Sequence, residues 1–130
     1  MGSLSVAHEG GDHFTVAVRG HVLHVDQPVE DHGEDLGPTP VDLLVAGLAS
    51  CIAHYARRYL RRHDLATAGL RVDATWETVQ SPSRVGWVAV SITLPDGFPA
   101  ERREALLAVA SHCTVHNSLT QAPDVTVALA

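Results

Sequence analysis

The sequence predicts one domain of mixed helices and strands, and three observations predict it. Four segments alternate apolar with polar or small residues: Phe14–Arg19, His21–Asp26, Leu70–Val79 and Arg84–Leu94. An uncharged run from Leu43 to Ala53 follows Thr39-Pro40, a start signal for a helix. A second apolar set, Leu106, Leu107, Val109 and Ala110, recurs at helical spacing. At 130 residues the chain can build one core of its own, and no linker divides it.

Taken in order, residues 1–11 read as a loose leader. Phe14–Arg19 and His21–Asp26 are two strands, with Gly20 marking a turn or bulge between them. The loop from Gln27 to Pro38, with the aspartate before it, gathers Asp26, Glu30, Asp31, Glu34 and Asp35. Its plain reading is a solvated loop; a calcium site is the sharper one, but the spacing is not that of an EF-hand. Thr39 is the expected N-cap of a long helix over about Pro40 to His63, with Pro40 in the first helical position and Asp42 suiting the first turn. Its first half has no polar face, which predicts burial on all sides. It is too short an apolar run to span a bilayer, which takes about 20 residues. Its second half is basic, with Arg57, Arg58, Arg61 and Arg62, and reads as a solvated face or a patch for a membrane or an anionic partner. Leu70–Val79 and Arg84–Leu94 form a hairpin through Ser81-Pro82-Ser83. Glu101 to about His112 is a second helix, and Asp124–Leu129 a last strand. One small sheet covers one side of the apolar helix only, so a dimer sharing two long helices is expected to cover the rest.

Composition narrows the function. An apolar fraction of 45% with 18% charged residues describes a globular chain rather than a disordered one. A net charge of −6 argues against nucleic acid as a partner. With no apolar leader behind basic residues and no membrane-spanning run, the expected compartment is the cytosol and no membrane partner is expected. Two cysteines there are thiols with a chemical role or inert core residues, rather than a structural bridge.

Those cysteines are Cys51, in the long helix, and Cys113, at the end of the second. No local C-x-x-C links them, so only the fold can bring them together. As small hydrophobes they are simply buried. As redox groups one must form a thiolate, and burial opposes that, so a cation is needed beside it. Arg19, the sole arginine before the helix, is a candidate for that cation or else a surface residue. A rival constellation pairs Cys51 with His54 and Cys113 with His116; both are C-x-x-H, and two such pairs together could bind zinc or a small ligand.

Gly-Pro-Thr-Pro-x-Asp-Leu-Leu-x-Ala-x-Leu-Ala-Ser-Cys51, followed far downstream by His-Cys113-Thr-Val-His-Asn-Ser-Leu119, resembles the OsmC/Ohr family of thiol-dependent peroxidases. Val18-Arg-Gly-His21 and Val25-Asp-Gln-Pro28 are similar to the entry strands of one OsmC-like subgroup. The resemblance runs from about Phe14 to the C-terminus. It implies an α+β fold built as an intertwined homodimer, with two long central helices packed between antiparallel sheets. It also implies a cofactor-free, metal-free reduction of organic hydroperoxides, and of hydrogen peroxide in addition. Cys51 is then peroxidatic, Cys113 resolving, Arg19 the activating arginine, and a dithiol of the lipoyl type the reductant. The family's peroxidases carry a glutamate where this chain has Val41. Asp42, the next residue, is a candidate for supporting the arginine or serves only the helix start.

Overall fold

The computed structural model describes all residues, Met1–Ala130. The chain divides into two compact units, Met1–Leu44 and Val45–Ala130.

The first unit is a three-stranded antiparallel sheet in the order β1 (Ser5–Gly10), β2 (His13–Val18), β3 (His21–Val25). β2 and β3 fall where the alternation placed them. Val18 pairs with His21, so Arg19 and Gly20 form a two-residue turn. Both have positive φ, 47° and 79°, the requirement of the hairpin turn that matches strand twist. β1 corrects the expectation of a loose leader. Its six residues are all exposed, so it is ordered by its backbone ladder to β2 and leaves no hydrophobic signal in the sequence.

The loop after β3 also differs from its plain reading. Asp26 is buried, 1% exposed, while Glu30, Asp31, Glu34 and Asp35 are exposed. Its carboxylate accepts backbone N–H groups from Gln27 at 2.7 Å and from Glu34 and Leu36 at 3.2 Å each. The loop therefore wraps one acid. It is also tight: a Cβ on Gly33 would meet the carbonyl of Gln27, and one on Gly37 the carbonyl of His24.

Helix α1 (Pro40–Arg62) begins with a reciprocal cap. The Thr39 hydroxyl accepts the Asp42 N–H at 3.0 Å, and the Asp42 carboxylate accepts the Thr39 N–H at 2.9 Å. In the second unit α1 is followed by the antiparallel hairpin β4 (Arg71–Val79) and β5 (Arg84–Thr93), then α2 (Arg103–Ala110) and α3 (Thr114–Thr120). The core is a stripe of α1, Leu48, Ile52, Ala56, Tyr59 and Leu60, closed by Leu106, Ala110 and Cys113. Spacings of three and four keep these on one helical face. Val88, Val90 and Ile92, alternate residues of β5, pack against it. Burial is thus a stripe and not all-round: Leu44 remains 45% exposed.

Two expectations at the C-terminal end are corrected. A short helix, α3, follows Cys113, and Asp124–Leu129 joins no sheet. The alternating residues Val125, Val127 and Leu129 are all exposed; strand pattern forms a strand only where a ladder partner exists. No helix is long and apolar enough to cross a membrane.

Candidate functional site

The second unit brings its two cysteines together. Cys51 lies midway along α1, partly exposed, and packs against the core stripe. Cys113 is fully buried and is the N-cap of α3, where its sulfur accepts the His116 N–H at 3.3 Å. Both are free thiols. Burial pushes the Cys113 thiol above its ordinary value. The amides of His116 and Val115 pull it down, and Cys51, within hydrogen-bonding reach, adds to the rise. Cys113 is therefore kept protonated at neutral pH, with a more accessible sulfur beside it.

Residues that sequence reasoning did not single out hold this pair. The Tyr55 hydroxyl, one helical turn after Cys51, hydrogen-bonds the Thr114 hydroxyl at 2.8 Å, at the residue after Cys113. It ties α1 to the first turn of α3. The signal was present only as proximity in sequence to each cysteine. Beside the pair lies a cavity of about 190 Å³, lined chiefly by Leu48, Ile52, Val88, Val90 and Ile92, with His116 at its wall. Leu48 and Ile52, which line it, neighbour Cys51 along the helix.

The zinc constellation does not assemble. No group of three or more histidine, cysteine or acidic side chains converges as a metal cluster, and His54 points to solvent with its ring edge-on to Tyr55. Arg19 belongs to the first unit, exposed in the β2–β3 turn. The Asp42 carboxylate is engaged in the cap of α1.

The model of the family described as OsmC-like protein matches residues 32–128. The chain belongs to the OsmC-like family. Solved structures agree on its α+β, OsmC-like fold. A Psychrobacter arcticus protein described as an osmotic stress induced and detoxification response protein is 24% identical, with a TM-score of 0.83 over 91% of this chain and 88% of that one. The organic hydroperoxide resistance protein OsmC of Legionella pneumophila is 22% identical, with a TM-score of 0.69 over 90% and 88%. An organic hydroperoxide resistance protein of Vibrio cholerae, with captopril bound in one of its active sites, is 21% identical, with a TM-score of 0.70 over 90% and 83%. At these identities the likeness carries the OsmC-like fold. No curated protein matches the chain.

Proposed function

We propose that this OsmC-like protein reduces organic hydroperoxides, and hydrogen peroxide in addition, through Cys51 and Cys113. The observation that carries the reading is the unequal thiol pair: Cys51 partly exposed, Cys113 buried, protonated and within its reach. The Cys51 thiolate attacks the outer oxygen of ROOH. The O–O bond breaks, ROH leaves with a proton, and Cys51 becomes a sulfenic acid. The Cys113 thiol then attacks the Cys51 sulfur; an S–S bond forms, and the sulfenic hydroxyl departs with the thiol proton as water. A dithiol, of the lipoyl type, reduces the disulfide and is itself oxidised. The raised pKa keeps Cys113 protonated during the first step, so it does not compete with Cys51 for peroxide. Arg19 is the candidate cation for activating Cys51. Asp42 supports the helix start that carries Cys51. The names of the Legionella and Vibrio neighbours favour the same substrate class.

The test is thiol loss on mixing reduced protein with cumene hydroperoxide. Cys51→Ser is expected to abolish peroxide consumption. Cys113→Ser is expected to react once and then stall as a trappable sulfenic acid. Peroxide consumption by Cys51→Ser at the parent rate removes the proposal.

A homodimer accompanies this reading. Several apolar side chains lack cover: Val6 is 57% exposed, Leu23 44%, Leu44 45% and Leu107 58%. Sedimentation equilibrium is expected to give twice the chain mass, and a stable monomer at micromolar concentration removes it.

A further inference from the structure

Helix α3 is lightly held. None of its seven residues is buried, and the chain after it joins no sheet. Val115 packs partly against the core stripe, and His116 stands at the cavity wall. A single hydrogen bond joins α3 to a segment distant in sequence, the one between the Thr114 and Tyr55 hydroxyls at 2.8 Å. Thr114 follows Cys113, and Tyr55 lies four residues after Cys51, one turn on along the same face of α1. The bond therefore spans the same two segments as the thiols. The Tyr55 ring is itself braced: the Arg58 guanidinium lies over it, 5.2 Å from its centroid, and the His54 ring stands edge-on at 6.0 Å.

That placement bears on one step. A sulfenic acid on Cys51 has two fates. In one, the Cys113 thiol attacks its sulfur, the S–S bond forms and water leaves. In the other, a second ROOH transfers its outer oxygen to the sulfur, ROH leaves, and the product is a sulfinic acid that a dithiol does not reduce. The first fate is intramolecular, so its rate rises with the fraction of time Cys113 stands at Cys51. The second rises with peroxide concentration. We propose that Tyr55 is a positioning residue for the resolving step: through Thr114 it holds Cys113 at Cys51, so that the disulfide closes before overoxidation. The role rests on the peroxidase reading for its oxidant, while the positioning itself does not.

Two measurements separate these. In the first, without peroxide, the Cys51–Cys113 pair of the full chain is equilibrated in mixtures of reduced and oxidised glutathione. Y55F and T114V each remove one hydroxyl and keep the side chain's bulk. Both are expected to favour the open dithiol by about two- to fivefold, the low end for one hydrogen bond because Thr114 is exposed. T114S, which keeps a hydroxyl, is expected to match the parent, and Y55F/T114V to lose no more than either single variant. In the second, reduced protein is mixed with cumene hydroperoxide. The rate of disulfide formation relative to first-step thiol loss is expected to fall by the same factor in Y55F. The sulfinic form, counted by intact-mass spectrometry, is expected to rise with peroxide concentration more steeply in Y55F than in the parent. Parental glutathione equilibria in Y55F and T114V overturn the proposal, as does equal slowing of both steps in Y55F. A shifted glutathione equilibrium in a chain that consumes no peroxide leaves the positioning standing and removes only the peroxidase reading.

Discussion

In Met1–Leu44 the buried residues are Val25 and Asp26; in Val45–Ala130 they are Val45, the α1 stripe, Pro95, Leu106, Ala110 and Cys113. The first unit is organised by directional bonds: three ladder strands, and a loop drawn around one carboxylate by three amides. The second is organised by apolar area, to which each side chain adds according to its place on a helix face or strand. The contrast teaches that one short chain can use two kinds of specificity. Hydrogen-bonded loops tolerate little change in backbone path, while apolar cores tolerate little change in volume.

Removing volume from the second unit should have the largest effect. Leu60 is fully buried within the core stripe, so Leu60→Ala is expected to cost about 2–5 kcal/mol by urea denaturation. In the first unit the matching insult is to add volume, not remove it. Gly33→Ala drives a methyl group into the Gln27 carbonyl and is expected to cost about 1–3 kcal/mol. A Gly33→Ala protein as stable as the parent would show that the loop yields freely and that the comparison is wrong there.

The smallest effects are expected from pH, and they should have opposite signs in the two units. Burial alone would raise the Asp26 pKa, but the amides of Gln27, Leu36 and Glu34, with the charge of His13, hold it below the ordinary value. A lowered native pKa gives stability that is present above the ordinary carboxylate value and lost as pH falls through the native one. The Cys113 pKa is raised, chiefly by burial. Its contribution is present below the ordinary thiol value and lost as pH rises through the native one. Asp26→Asn is therefore expected to flatten the acid limb of a stability–pH curve, and Cys113→Ala the alkaline limb. Unaltered limbs in both variants would separate these groups from the stability they are assigned here.

Legibility followed the same division. The long helix, its Thr39 cap, both hairpins and α2 were readable because periodicity and start signals are local properties of the chain. β1 was not, since an exposed ladder strand needs no apolar side chain. α3 was missed and the last strand misplaced, because Cys113 is not an obvious cap and alternation does not supply a partner. The buried acid at Asp26 was hidden among exposed ones: nothing in the run of acids tells which carboxylate the amides will choose.

The family was readable from the two cysteine motifs. By itself the sequence determined the two cysteine motifs and the helix that holds Cys51, since residue identity and helical period are written along the chain. Only the tertiary structure decided that Cys113 reaches Cys51, that burial raises its pKa, and that Tyr55 ties their helices together. Those facts depend on burial and on contacts between segments distant in sequence, and both exist only once the core has closed.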